Sequence, residues 1–192
     1  MRNTPFTKFS LLFLFSLFLF SSCAILFPNN NYTNLSSEQQ SNIIKLKTFE
    51  DVKPGFVYEI TGDELLNELK KQDKSMVYYF ANSCPSHSKN HLYEEKKYAE
   101  ENGFKLFLIM YTYDNMNSTL QKDLDLPVFS VNSDTYGISN SRKYYKKFKE
   151  DVGYYSYKET LNGKWPGRYI FYEKDKIVDS KNYLTKEQYK EH

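Results

Sequence analysis

The residues of this chain best suited to chemistry are a cysteine and a histidine three positions apart, Cys84 and His87. They follow the apolar run MVYYFA at 76–81, which predicts a buried strand, and Pro85 suits the first turn of a helix that ends at Gly103. A cysteine at the start of a helix meets unpaired N–H groups and the positive end of the helix dipole, which both stabilise a thiolate. His87, one turn further, adds positive charge as imidazolium or accepts the thiol proton as neutral imidazole. The sequence therefore predicts a thiol site with Cys84 and His87 as its catalytic residues.

The elements around this site predict a sheet with helices. A second buried strand at 104–111 makes a parallel strand–helix–strand unit with the first. An insertion follows near 112–136. The remaining strands are predicted at 56–60, 127–131, 169–173 and 176–180, and the remaining helices at 61–71, 118–124, 138–152 and from Thr185.

This order, together with the segment FANSCPSH at 80–87, resembles the thioredoxin-like fold over roughly residues 55–192. The resemblance implies an α/β three-layer sandwich with a central mixed sheet. In that family a Cys-X-X-Cys pair opens the helix after the second strand. Cys84 matches the nucleophilic first cysteine, His87 stands in place of the resolving cysteine, and Ser83 replaces the usual tryptophan.

The same resemblance implies a substrate groove. The family carries a cis-proline before its penultimate strand, packed against the nucleophile, and Pro166 is the corresponding candidate. It lies one residue earlier than the best alignment with the strand at 169–172 requires. An ordinary Trp-Pro-Gly turn is the alternative interpretation. The implied groove residues are Ser83, Pro85 and Pro166.

The missing second cysteine limits what the site does. A mixed disulfide at Cys84 has no internal thiol to release it, so release needs an outside thiol. Two hypotheses remain: a monothiol oxidoreductase or isomerase, and a degenerate module used for binding or assembly. Cys84 is also interpretable as a small buried hydrophobe. Together with His91, Cys84 and His87 form an alternative set of three metal ligands. No fourth ligand lies nearby in the sequence, so no metal is expected, and no other cofactor is expected either.

The N-terminus predicts export and a membrane tether. Apolar residues at 9–20 follow two basic positions, and the segment SSCA at 21–24 resembles the lipobox of a bacterial lipoprotein, although Phe20 stands where that box prefers Leu. This predicts a signal peptide at 1–22, lipid on Cys23 and localisation in the bacterial cell envelope. The alternative is a single uncleaved transmembrane anchor. The predicted organisation continues with a flexible tether at 23–46 and a thioredoxin-like domain at 47–192.

The net charge of the chain limits the classes of partner that it is expected to bind. The chain has 26 basic and 24 acidic residues, and loss of Arg2 and Lys8 with the signal peptide leaves the two counts equal. A net charge near zero argues against a nucleic-acid partner. The expected partners are membrane lipid, through Cys23, and a protein thiol or disulfide. A basic stripe on the helix at 138–152 fits a solvated face better than a membrane-binding one, and it consists of Arg142, Lys143, Lys146, Lys147 and Lys149.

Overall fold

A computed structural model shows an α/β fold built on one seven-stranded mixed sheet. It describes residues 32–81, 89–120, 125–138, 140–162, 164 and 166–184, with the backbone alone at 89–91 and 118. The strands, in chain order, are β1 (Ile43–Lys45), β2 (Val57–Ile60), β3 (Lys74–Phe80), β4 (Lys105–Met110), β5 (Val128–Val131), β6 (Tyr169–Glu173) and β7 (Lys176–Lys181). Their order in the sheet is β1-β2-β5-β4-β3-β6-β7. The first five strands in this order, β1, β2, β5, β4 and β3, all run parallel to one another. Strand β6 is antiparallel to both of its neighbours, β3 and β7.

Helices pack on both faces of this sheet. They are α1 (Ser37–Ser41), α2 (Gly62–Lys71), α3 (Lys89–Glu101), α4 (Met116–Leu120), α5 (Ser133–Tyr136), α6 (Ser141–Asp151) and α7 (Tyr154–Thr160), with 3-10 turns at Tyr32–Asn34 and Phe49–Asp51. Successive side chains of β3 enter different apolar clusters, because strand residues alternate between faces. Val77 joins Leu65 of α2 and Phe148 of α6, whereas Tyr78 joins Leu92 of α3.

Local signals explain the elements nearest the candidate site. The unit β3–α3–β4 is parallel, as predicted, and Gly103 takes the left-handed conformation that ends α3, with a φ of 70°. The hairpin of β6 and β7 is confirmed, with Lys174 at a φ of 54° in its turn. Thr61 begins α2 with the predicted capping box, in which its side chain and that of Glu64 satisfy each other's backbone N–H groups. These three predictions are confirmed.

The ordered structure begins earlier than residue 47. The segment predicted as a tether, 23–46, contains α1 and β1, and β1 pairs with β2 through Ile43 opposite Val57. Ile43 packs against one apolar cluster and Ile44 against the other. The partial burial of these two isoleucines therefore stabilises the three-residue strand β1. The strand was not predicted because the residues around it in the sequence are mostly polar.

The insertion near 112–136 contributes to the middle of the sheet. The strand predicted at 127–131 exists as β5, and it lies between β2 and β4. The helix expected over 138–152 begins at Ser141, capped by Asn140, and α7 follows it without having been predicted. The signal peptide, Cys23 and the helix from Thr185 lie outside the described residues. Within the described part of the chain, no helix combines the length and apolar character needed to cross a bilayer.

Candidate functional site

The predicted thiol site falls in the connection between β3 and α3. Ser83, Cys84, Pro85 and His87 lie outside the described residues, but both ends of the connection are defined. The carbonyl of Phe80, at the end of β3, accepts a hydrogen bond of 2.8 Å from the N–H of Tyr111, which follows β4. β3 lies within the sheet, between β4 and β6. The connection that carries Cys84 therefore leaves from the carboxyl end of an interior strand.

Pro166 lies at the same edge of the sheet. Because β6 is antiparallel to β3, the start of β6 stands beside the end of β3: Tyr169 pairs with Tyr78, and the Tyr79 N–H donates to the Arg168 carbonyl at 3.1 Å. Pro166 is buried, and its carbonyl accepts a hydrogen bond of 2.8 Å from the Tyr154 hydroxyl. The Trp165–Pro166 peptide bond involves a residue outside the described ones. The structure thus brings the groove candidate to the edge from which the Cys84 connection leaves.

One face of this edge carries a cluster of three tyrosines around a lysine, called here the tyrosine–lysine cluster: Lys149, Tyr79, Tyr111 and Tyr154. The Lys149 Nζ lies 5.1 Å, 5.3 Å and 4.6 Å from the respective ring centroids, within the range of cation–π attraction. Burial lowers the pKa of Lys149 to about 8. The Tyr79 hydroxyl is buried and has no hydrogen-bond partner among the described residues.

The other face of the edge carries a buried carboxyl group. Glu95 of α3 is fully buried, and it accepts a hydrogen bond of 2.6 Å from the Tyr169 hydroxyl. The Tyr169 ring stacks on Tyr78 with 4.5 Å between centroids. Burial raises the pKa of Glu95 to about 7, while the hydrogen bond from Tyr169 opposes that shift. A group that titrates near neutrality therefore lies on the helix that follows the Cys84 connection.

A third polar group joins the carboxyl ends of β2, β5 and β4. The Tyr113 hydroxyl lies 3.0 Å from the Glu59 Oε1, to which it donates, and 2.9 Å from the Ser130 Oγ. Burial raises the pKa of Glu59. Nearby, the buried hydroxyl of Tyr144 has no hydrogen-bond partner among the described residues. Tyr113 therefore ties the segment that follows β4 to both β2 and β5 at this edge of the sheet.

The residues of the metal alternative are not among those whose side chains the structure describes. Cys84, His87 and the side chain of His91 lie outside them. Within the described ranges, no three His, Cys, Asp or Glu side chains are grouped so that they hold a metal ion.

Two features of this edge differ from the sequence-based predictions: the buried carboxyl group of Glu95 and the half-buried position of Lys149. Glu95 lies three residues after Leu92 and four before Ala99, the spacing of one helix face, so a carboxylate on an otherwise apolar stripe was the available signal. Lys149 was counted in the basic stripe. The structure shows that its four companions are exposed, whereas Lys149 is half-buried.

Comparisons of the chain with protein-family models, with curated proteins and with solved structures find no match.

Proposed function

We propose that this protein is a membrane-tethered, thioredoxin-like lipoprotein in which Cys84 acts as a single redox thiol. The observation that carries the proposal is the parallel unit β3–α3–β4, whose first connection contains Cys84. The antiparallel hairpin of β6 and β7 adjoins the other side of β3, with Pro166 just before it. Helices on both faces of a mixed sheet are consistent with the three-layer thioredoxin-like architecture.

The chemistry proposed for Cys84 is thiol–disulfide exchange. The thiol gives its proton to His87 or to solvent, and the thiolate attacks one sulfur of a disulfide R–S–S–R′. A bond forms between the Cys84 Sγ and the R sulfur while the S–S bond breaks, and R′–S⁻ leaves with the electron pair. Cys23, the other cysteine of the chain, is assigned to lipid. Release therefore needs attack by an external thiol, or back-attack by R′–S⁻, which isomerises the substrate.

Glutathione disulfide provides the test of this proposal. We expect the full chain to gain one glutathionyl group on the Cys84 peptide, detected by mass spectrometry, and to lose it after dithiothreitol is added. In Cys84→Ser the adduct should be absent. In His87→Gln its rate of formation should fall several-fold at about pH 7, since His87 is proposed to promote thiolate formation. Circular dichroism of each variant verifies the fold.

The alternative is a catalytically degenerate module for binding or assembly, favoured by His87 in the resolving position and Ser83 in place of tryptophan. Under this alternative, the folded wild-type chain gains no adduct at Cys84 under conditions in which an unstructured cysteine peptide reacts. That result would remove the redox role.

The tether is proposed at Cys23. The described chain begins at Tyr32, whose ring packs against Tyr113 with 5.9 Å between centroids, just past the end of β4. Tyr32, nine residues after Cys23 in the sequence, therefore lies at the edge of the sheet from which the Cys84 connection leaves. We expect Cys23→Ala to abolish incorporation of labelled fatty acid in bacterial cells and to release the protein from the membrane fraction. Labelling that persists in this variant contradicts lipidation at Cys23.

A further inference from the structure

We propose that the outer face of α6 binds an anionic lipid bilayer, so that the domain lies on the membrane surface through this helix. The exposed basic residues of this face are called here the α6 basic face: Arg142, Lys143, Lys146 and Lys147. The proposal rests on the membrane tether of the proposed function, and it does not depend on the redox role of Cys84. It names the side of the domain that meets the membrane.

The α6 basic face is a continuous cationic surface. Its four residues are spaced so that they share one side of the helix, and the fully buried Phe148 marks the side that packs into the core. Glu150 is the one fully exposed acidic residue of α6, and it pairs with Lys146 at 3.6 Å. Neither Lys143 nor Lys147 takes part in a salt bridge within the described part of the chain. The face therefore keeps an excess of positive charge.

The helix on the opposite side of the sheet carries the opposite charge. α3 packs on the other apolar cluster, through Leu92. Among its described side chains, the exposed charged residues are three acidic and one basic: Glu94, Lys97, Glu100 and Glu101. α2, which packs beside α6, has two acidic residues in its first turn and two basic ones in its last, so it does not cancel the charge of α6. An anionic surface therefore attracts the α6 side and repels the α3 side.

The start of the described chain and α6 lie at the same end of β4. The Tyr145 hydroxyl of α6 donates a hydrogen bond of 2.7 Å to the Tyr111 carbonyl, just past that strand. Two residues further on, Tyr113 packs against Tyr32. Nine residues separate Tyr32 from Cys23 in the sequence, and a chain of that length spans at most about 30 Å. A lipid on Cys23 therefore keeps α6 within reach of the headgroups.

Electrostatic attraction of this size is sufficient because the domain is tethered. Each Lys or Arg near an anionic membrane strengthens binding several-fold, and the attraction extends over a Debye length of about 8 Å at physiological salt. A tether turns the association into an intramolecular step, so a modest attraction orients the domain. The sequence alone favoured a solvated face for this stripe. The charge difference between α6 and α3, and the position of Tyr32, favour the bilayer instead.

Lysine acetylation on vesicles tests the proposal with the full chain. Either lipid on Cys23 or the apolar run 9–20 anchors the chain in preformed vesicles, so the test does not depend on which anchor is used. The vesicles contain phosphatidylcholine alone, or about one-third phosphatidylglycerol. A succinimidyl ester acetylates the lysines, and mass spectrometry gives the rate at each one. We expect Lys143 and Lys147 to react several-fold more slowly on the anionic vesicles, whereas Lys97 of α3 reacts equally on both.

Paired charge reversals separate the α6 basic face from total charge. Lys143→Glu with Lys147→Glu, folded by circular dichroism, should abolish the slower acetylation of Lys146 on anionic vesicles. Lys97→Glu with Lys176→Glu is the matched control, because it changes the net charge equally at exposed positions of α3 and β7. This control should retain the slower acetylation of Lys146. Loss of the effect in both double variants would show that total charge, and not this face, is responsible, and it overturns the proposal.

Two further results would contradict the proposal. Equal acetylation rates for Lys143 and Lys147 on the two kinds of vesicle would mean that α6 does not meet the bilayer. Slower acetylation that also occurs on phosphatidylcholine alone, or that survives about 0.5 M NaCl, would mean that the contact is not with anionic lipid. Fatty-acid labelling reports on Cys23 separately, so failure of lipidation and failure of this orientation are distinguished.

Discussion

Replacing Gly167 with alanine is expected to destabilise the protein by roughly 3 kcal/mol, the upper end of the usual cost of overpacking. A Cβ at this position would overlap the carbonyl carbon and oxygen of Lys181, at the end of β7, and would lie 2.7 Å from the backbone nitrogen of Asn182. Backbone atoms cannot rotate away as a side chain can. The start of β6, and Pro166 with it, would have to move away from β7.

The measurement is the free energy of unfolding in urea. Gly137→Ala is the matched control, because Gly137 has a φ of 59° and a Cβ there would meet no heavy atom within 4 Å. Its cost should come from backbone conformation alone, about 1 kcal/mol. Equal losses in the two variants would show that β7 does not approach Gly167 closely.

Replacing Glu95 with glutamine is expected to remove a large pH dependence of stability. The pKa of Glu95 is raised from 4.5 to about 7 in the folded protein, so the folded state binds this proton more tightly than the unfolded chain does. Its contribution to stability is fully present below pH 4.5, declines as the pH rises, and is lost above about 7. The loss is on the order of 3 kcal/mol. Glutamine stays neutral and still accepts the hydrogen bond from the Tyr169 hydroxyl.

Urea unfolding at about pH 5 and about pH 8 measures this effect. Glu95→Gln should match the wild type at the lower pH and be more stable than it at the higher pH. Glu101→Gln, at an exposed position of the same helix, is the control and should follow the wild type at both values. The groups facing Glu95 are the hydroxyls of Tyr169 and Tyr78, the Arg168 guanidinium and the Glu94 carboxylate. Parallel pH profiles for wild type and Glu95→Gln would mean that Glu95 is ionised in the fold without penalty.

Local sequence patterns predicted the elements that flank the candidate thiol site. The apolar runs of β3 and β4 are too long and continuous to be loops, and Gly103 supplies a conformation that other residues adopt at a cost. The order of strands was not available from such patterns. That β5 enters between β2 and β4 depends on pairing between residues far apart in the chain, such as Val57 with Val128.

The surroundings of single side chains also could not be predicted from local sequence patterns. The position of Lys149 on α6 places it at the border between the buried and exposed faces, and only tertiary structure brings Tyr79, Tyr111 and Tyr154 around it. Glu95 conflicts with the general rule that carboxylates stay exposed. Its place on an apolar helix face was the one local signal, and the Tyr169 hydroxyl that donates a hydrogen bond to it comes from a distant strand.

The central claim is the proposal that Cys84, in the connection between β3 and α3, is a redox thiol whose thiolate is favoured by unpaired backbone N–H groups and by His87. The rate of alkylation of Cys84 by iodoacetamide, followed across pH on its own peptide by mass spectrometry, tests this most directly. The folded chain should show a midpoint clearly below about 8.5, the ordinary value for a cysteine thiol, and the midpoint should return to that value in urea. A midpoint at or above about 8.5 in the folded chain, or no difference between folded and unfolded chains, would contradict the claim.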